Sequence, residues 1–372
     1  MMFDRLRIGL IGPLPPPSGG MANQTRQLAA LLRQEGATVE LVQVNPPYPG
    51  WVANLRWVRE PFRLLPYAAH LWRTAGKVQL LHVMANSGWS WHLIATPAIW
   101  VARLRGIPIV VNYRGGGAEA FFAHSFAWVR PSLRRADAVV VPSGFLEQVF
   151  AKRGIAASIV PNIIDLTRFA SHGAADRVVA HTPPHIIVTR NLERIYDIAT
   201  AIRAFALLRL RFPQARLTIA GSGPERENLE ALTASLGLGD AVTFTGQLDN
   251  ARMAELYRTA TIMLNPSTVD NMPISILESL ASGVPVVSTN VGGISHLVQD
   301  GHTALLVAPG CAEPMAAAMG RIAADKILAR RLSEAGSAAV QVYAWPHVRD
   351  RLAEVYARVT VGAQRAVTAA AK

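Results

Sequence analysis

Two carboxylates, Asp270 and Glu278, stand eight residues apart in "TVDNMPISILESLASGVPVVSTNVGG" (Thr268–Gly293), with Pro273 between them. Eight residues is about two helical turns, so one unbroken helix would put both acids on one face. Pro273 argues against that and fits the first turn of a helix running to Ser282, with Gly283 closing it. Asp270 then lies in the loop after the strand "TIMLNPS", and Glu278 one to two turns inside the helix. The amides near Met272–Ser275 point out of the helix start, where a phosphate is stabilised by N–H groups and the helix dipole. A carboxylate accepts two hydrogen bonds from a vicinal diol, so Glu278 suits a ribose; Asp270 suits a further sugar hydroxyl. The alternatives are a helix-start cap for Asp270 and a solvated carboxylate for Glu278.

Phosphates also require fixed positive charge. "VTRNLERIYD" places Arg190 and Arg194 after the first strand of the second half, and a guanidinium binds phosphate oxygens in pairs. "AGSGPERE" puts Gly221 in a strand-to-helix turn where an anion could approach, or where glycine serves only packing. The corresponding turn of the first half, "GPLPPPSGGMA", carries Gly20 at a helix start. Neither turn has the spacing of a dinucleotide fingerprint, and there is no Walker A sequence. No D-x-D triplet occurs, so no metal site is indicated.

These residues must be positioned by a repeated strand–helix pattern. "RIGLIG", "TVELVQV", "KVQLLHVM", "IPIVVNY" and "ADAVVVPS" alternate with helical stretches. After "SIVPNIIDLTRF" and a small, polar, Pro-ended linker (Ala170–Pro184), the pattern restarts with "HIIVTR". Such alternation predicts parallel sheets covered on both faces, with ligands at strand carboxyl ends. The expected fold is α/β: two Rossmann-like parallel-sheet domains facing across a cleft, residues 1–172 and 173–345. A C-terminal helix, 346–372, is expected to pack back on the first.

The chain has 372 residues and a net charge of +12. Residues 1–172 carry 18 Lys/Arg against 8 Asp/Glu, and seven of the eight tryptophans. Basic surface with tryptophan fits an anionic membrane face, with "WVANLRWVREPFRLLPYAAHLWRTAGK" (Trp51–Lys77) as the candidate segment; amphipathic helices packed on the sheet are the plain alternative. Nucleic acid is not indicated: the basic residues are scattered and no nucleic-acid-binding signature is present. The single cysteine, Cys311, excludes an internal disulfide framework. The N-terminus lacks a signal-peptide core, and the apolar stretch Trp89–Gly106 reads as a buried helix rather than a membrane span. A cytoplasmic chain, peripheral on the inner membrane face, is expected.

The block "DNMPISILESLASGVPVVSTNVGGISHLVQDGHTALLV", with "VPSGFLEQVF", "VPNIIDLTRF" and "IAGSGPERENLE", resembles glycosyltransferase family 4, the retaining enzymes of GT-B fold. The resemblance implies transfer of a sugar from a nucleoside diphosphate sugar, UDP- or GDP-linked, to a sugar or lipid-linked acceptor hydroxyl, with no cofactor. It assigns the donor to the C-terminal domain and the acceptor to the N-terminal one. Glu278 maps to the ribose contact, Asp270 to the acid near the donor sugar, the backbone of Asn271, Met272, Pro273 and Ile274 to the sugar and phosphate contacts, Arg190 to the phosphate arginine and Gly20 to the phosphate turn. The base falls near Thr245–Leu248, around Gly246. Four positions depart from the pattern. Asp270 replaces a glutamate; Ile195 replaces a phosphate lysine, leaving Arg194 as substitute; Arg114 stands where a histidine is common; Ile163 replaces a glycine. With Arg114, Arg190 and Asp270 as the catalytic candidates and no evident nucleophile, the implied route is front-face, the leaving phosphate taking the acceptor's proton. A sugar-nucleotide epimerase and a non-catalytic sugar-nucleotide-binding protein are the alternative functions.

Overall fold

The computed structural model describes residues 2–16, 19–46, 59–169 and 183–370; of 59–62 and 363–370 it describes the backbone alone. The expected linker, but for its last two residues, and the 51–58 part of the candidate membrane segment lie outside these. The chain divides into two compact units, residues 1–163 with 345–372, and residues 164–344. The division falls at 163/164 rather than 172/173, because Ile164 and Phe169 pack in the core of the second unit with Ile276 and Leu277.

The first unit holds six parallel strands in the order β2-β1-β3-β4-β5-β6. They are β1 (Arg7–Gly12), β2 (Thr38–Gln43), β3 (Leu80–Ala85), β4 (Ile109–Tyr113), β5 (Ala138–Val141) and β6 (Ser158–Ile159). Every residue of β3 and β4 is buried, as apolar runs in a sheet covered on both faces require. The covering helices include α1 (Gly20–Gln34), α2 (Arg59–Ala75), α3 (Thr96–Arg105), α4 (Ala118–Leu133) and α5 (Gly144–Ala151). The stretch expected as a buried helix is a π-helical turn, Trp91–Ala95, running into α3. One face is buried through Trp91, Ile99 and Ala102, while Trp89, Trp100 and Leu104 are exposed. The order of the first five strands places the topological switch between β1 and β3.

The second unit has six parallel strands in the order β12-β11-β10-β7-β8-β9. These are β7 (His185–Val188), β8 (Arg216–Ala220), β9 (Val242–Gly246), β10 (Ile262–Asn265), β11 (Val286–Thr289) and β12 (Leu305–Val307). Counted within the unit the order is 3-2-1-4-5-6, the dinucleotide-binding arrangement, with its switch point between β7 and β10. Its helices are α6 (Ile198–Arg209), α7 (Arg226–Ser235), α8 (Asn250–Thr259), α9 (Ile274–Ala281), α10 (Ala312–Ala324) and α11 (Lys326–Ala339).

The last helix, α12 (Trp345–Ala370), belongs to the first unit. Val348, Leu352, Val355 and Tyr356 join Phe3, Ile8, Leu10 and Leu28 in one apolar cluster. Trp345 Nε1 donates to Glu35 Oε1 (3.2 Å), and the Arg349 guanidinium pairs with the same oxygen at 3.2 Å. Among the described residues no helix is long and apolar enough to cross a membrane.

Candidate active site

The switch point of the second unit brings Arg190 and Asp270 together. Arg190 follows β7 and Asp270 follows β10, and these strands are hydrogen-bonded neighbours, with Ile186 opposite Ile262. Arg190 Nη2 meets Asp270 Oδ2 at 2.6 Å, and both side chains are only 11% exposed. The guanidinium carbon lies 4.0 Å above the centre of the Tyr196 ring, and Nη1 reaches Ser275 Oγ at 3.5 Å. Arg190 Nε is buried and has no hydrogen-bond partner. A buried cation held by one carboxylate, one ring and a long hydroxyl contact retains donor capacity for an incoming anion.

The loop carrying Asp270 is held by glycine. Gly292 has φ +53°, and a side chain there would collide with the Asp270 carbonyl; one at Gly293 would collide with the Asn271 carbonyl. Gly293 N–H donates to the Asp270 carbonyl (3.1 Å), and Asn271 N–H to Asp270 Oδ1 (2.9 Å). The "VGG" turn therefore shapes the acid loop. Gly221 and Gly223 act likewise: a side chain at either would strike the Arg190 or the Leu192 carbonyl. Of the two readings open for Gly221, packing is the one its surroundings support. Gly246 ends β9 with φ +72°, its carbonyl accepting from Gly221 N–H at 2.9 Å.

Helix α9 begins at Ile274, so Pro273 is the residue before the helix rather than part of its first turn. Pro273 has extended backbone (φ −65°, ψ 125°), no side chain caps the helix, and Asn271 and Met272 are buried. The Asn271 N–H is already taken by Asp270 Oδ1, and the start of α9 itself, with no capping side chain, is the kind of helix end at which anions are stabilised.

Glu278 sits one turn inside α9, half-buried. Burial pushes its carboxyl up from 4.5 to about 7, against the opposing pull of the Tyr257 hydroxyl, Arg168 and Arg190. The Tyr257 hydroxyl itself donates to the Ser275 carbonyl (2.9 Å) and meets Thr189 Oγ1 at 2.7 Å. Sequence reasoning missed Tyr196, Tyr257, Arg168 and the side chain of Ser275. Arg168 was within reach of it: the segment "DLTRF" is tethered by Asp165, whose Oδ1 accepts from Arg168 N–H (3.1 Å), and anchored by Phe169 on the Tyr257 ring (5.8 Å).

Arg194 does not join this cluster. Its side chain is 87% exposed and pairs with Glu225 at 3.3 Å, in a short turn (Arg194–Tyr196) that also exposes Ile195.

Arg114 and Gly20 belong to the first unit. Gly20 opens α1 at the surface, with no capping side chain. Arg114 follows β4. Its Nε donates to Asn112 Oδ1 (3.1 Å) and its Nη1 to Asn162 Oδ1. Burial pushes its pKa down to about 10, which leaves it charged at neutral pH. Among the described residues no cluster of three or more His, Cys, Asp or Glu has the arrangement of a metal site.

The family model described as "Glycosyl transferases group 1" matches residues 175–339, and that described as "Glycosyltransferase Family 4" matches residues 18–168. The phosphatidyl-myo-inositol mannosyltransferase of Mycobacterium tuberculosis is 26% identical over 381 residues, covering 95% of this chain and 97% of its own. A D-inositol 3-phosphate glycosyltransferase of Nocardia farcinica is 30% identical over 227 residues, 56% of this chain; the match spans half of that relative's length. The match to its Streptomyces griseus counterpart spans 35% of that relative. Among solved structures, sucrose-phosphate synthase from Thermosynechococcus elongatus superposes with a TM-score of 0.75 at 23% identity, covering 96% of this chain and all of its own. HepE of Anabaena, solved in complex with UDP-glucose, gives 0.74 at 18% identity, covering 95% and 100%. These likenesses establish the two-domain GT-B fold.

Proposed function

The chain belongs to the group 1 glycosyltransferases, and from that premise we propose that it is a retaining, metal-independent hexosyltransferase. It moves a sugar from a UDP- or GDP-linked donor to a hydroxyl of a sugar or lipid-linked acceptor, in bacterial polysaccharide or glycolipid assembly. One observation carries the reading: Arg190 and Asp270 meet at the switch point of the second sheet, against the uncapped start of α9, with Glu278 one turn inside.

In this reading the diphosphate lies on the start of α9 beside the Arg190 guanidinium, which turns donors from Asp270 and its unpartnered Nε–H toward it. Glu278, ionised, accepts both hydroxyls of the ribose, and Asp270 holds a hydroxyl of the transferred sugar. The acceptor oxygen bonds to the anomeric carbon as the carbon–phosphate-oxygen bond breaks. The departing phosphate oxygen takes the acceptor's proton on the same face. Charge developing on the leaving diphosphate is stabilised by preorganised donors, each worth roughly 3–4 kcal/mol. Arg114, in the first unit, is assigned to the acceptor as a fixed cation whose N–H groups donate to a hydroxyl or an anion, where a proton-relaying group is absent.

The acceptor is best delivered at an anionic membrane surface. Trp72, Trp100, Leu104 and Trp128 are exposed on three neighbouring helices. The Arg105 guanidinium lies 3.9 Å from the Trp72 ring centre and that of Arg135 lies 4.3 Å from Trp100. Tryptophan with arginine suits the headgroup level, and each basic residue near anionic lipid contributes about 1 kcal/mol. Sedimentation with phosphatidylglycerol vesicles at low salt, but not with neutral ones, is the expected result; equal binding to both would remove the electrostatic argument.

The deciding experiment is release of nucleoside diphosphate from UDP-glucose and GDP-mannose, with and without lipid-extract acceptor and with chelator present, followed by assignment of the product's anomeric configuration. Acceptor-dependent release with retained configuration supports the reading. Conversion of the donor alone would favour an epimerase, and donor binding with no turnover a binding protein.

A further inference from the structure

His82 is fully buried in β3, on the far side of Asn112 from Arg114, and the mechanism above makes no use of it. Its Nε2 lies 3.0 Å from Asn112 Nδ2, and its Nδ1 lies 2.7 Å from the Tyr356 hydroxyl on α12. Asn112 is buried too, and its other amide atom, Oδ1, accepts from Arg114 Nε. Four side chains thus form one chain of hydrogen bonds, from the helix at the end of the polypeptide, through the sheet, to the guanidinium after β4.

The Arg114 contact sets the direction of the bonds behind it. Arginine has no acceptor, so Asn112 must turn its oxygen to Arg114. Flipping the amide would set NH2 against N–H at a buried place, where an unmade bond is costly. With its oxygen so committed, Asn112 presents its NH2 to His82, and Nε2 must accept. The ring proton is therefore on Nδ1 and donates to Tyr356. Burial first, and then the positive charge of Arg114, hold His82 far below its ordinary value, at about 3, so the ring stays neutral and each of its nitrogens keeps one role.

We propose that His82 is a positioning residue for Arg114: as the Nδ1–H tautomer braced by Tyr356, it fixes the Asn112 amide that aims the guanidinium. The proposal rests on the reading of Arg114 as part of the transfer site. A guanidinium held by oriented bonds loses less freedom on meeting a ligand than one held by a flexible shell, which is the advantage of supporting a site from behind. The α12 helix, held on the first unit by its apolar face, supplies the terminal acceptor of the chain.

Two readouts test this on the full chain. Long-range proton–nitrogen correlation spectra of isotope-labelled histidine report the ring directly. A protonated Nδ1 with a bare Nε2 is expected, and Arg114→Met should let the other tautomer appear. An Nε2–H ring in the unmodified protein would overturn the proposal. The second readout is a double-mutant cycle on sugar transfer. His82→Leu should lower kcat on the order of tenfold, within the range of coupled neighbours, at nearly constant donor KM, and should cost nothing more in an Arg114→Lys background. Independent, multiplicative losses would make His82 a packing residue only and sink the idea. Should His82→Leu fail to fold, Tyr356→Phe removes only the terminal hydroxyl and should show a smaller loss of the same pattern. A protein that transfers no sugar, yet holds the Nδ1–H ring in dependence on Arg114, would refute the transfer reading and leave the aiming of the guanidinium standing.

Discussion

Arg114 and Arg190 each stand just past the carboxyl end of a parallel strand, β4 in the first unit and β7 in the second, yet they are held in opposite ways. Arg190 is paired with a carboxylate at 2.6 Å and lies on a tyrosine ring. Arg114 bonds to two amide oxygens, and its charge is not neutralised by either. The first arrangement is an ion pair whose parts can be shared with a ligand carrying both phosphate and hydroxyls. The second is a cation held in reserve by neutral groups. Removing one partner of a buried ion pair leaves an uncompensated charge, at about 3–5 kcal/mol, whereas an arginine among amides can be replaced at lower cost.

The sharpest way to break this contrast is Arg190→Met against Arg114→Met. Calorimetric titration with UDP should show a loss of affinity on the order of a hundredfold for the first, about 3 kcal/mol, the upper range for a hydrogen-bonded charge. The second should stay within about twofold, because its arginine belongs to the other unit. Equal losses would mean that the nucleotide depends on both arginines alike. A step smaller is Gly221→Ala, set against Gly115→Ala. A side chain at Gly221 would strike the Arg190 carbonyl, whereas one at Gly115 meets chiefly the Ser87 and Asn86 side-chain oxygens, with the Ser87 backbone nitrogen just in reach at 3.0 Å. Thermal unfolding should show roughly 2 kcal/mol lost for Gly221→Ala, as for an overpacked core, and clearly less for Gly115→Ala.

Glu278 has no counterpart among the first unit's candidates, and its titration sharpens the difference. Its folded value, about 7, stands above the ordinary 4.5. The stability tied to its protonated form is complete below 4.5 and declines as pH rises towards about 7. Glu278→Gln should therefore unfold at the wild-type temperature near pH 4 and above it at pH 8. Affinity moves the other way. A ribose diol needs the ionised carboxylate, so Glu278→Gln should bind UDP about tenfold more weakly at pH 8, one charge-assisted bond's worth. That deficit should fade as pH falls below 7.

Much of this was legible in the sequence because the patterns were local. Strand–helix alternation marks two parallel sheets, and the Asp270–Val307 block marks the acid loop, the helix start and the glycine turn together. The opposition of Arg190 and Asp270 was not legible, since eighty residues separate them and only the crossing from β7 to β10 makes them neighbours. Nor were Tyr257 and Tyr196, which read as ordinary apolar positions of a helix and a turn until Glu278 and Arg190 are seen against them. The His82–Asn112–Tyr356 chain was invisible for the same reason: a lone histidine in an apolar strand is most often a satisfied core residue, and its partner lies on α12. The helix start at Ile274 missed by one residue, because proline is accepted both before and within a first turn.

Arg194 carries the smallest expected effect and the finest test. Spacing alone made it the substitute for the missing phosphate cation beside Ile195. In the folded chain it is an exposed arginine paired with Glu225 at 3.3 Å, and such pairs contribute about 0–1 kcal/mol. Arg194→Gln should leave UDP affinity within about twofold and unfolding within about 0.5 kcal/mol. If affinity instead falls tenfold, the side chain must leave Glu225 for the diphosphate when nucleotide binds. Glu225→Gln should then tighten UDP binding, since it releases a cation that the free protein ties down. Arg190 would no longer stand as the second unit's one buried anchor, and the contrast with Arg114 would become one between a movable pair and a fixed cation.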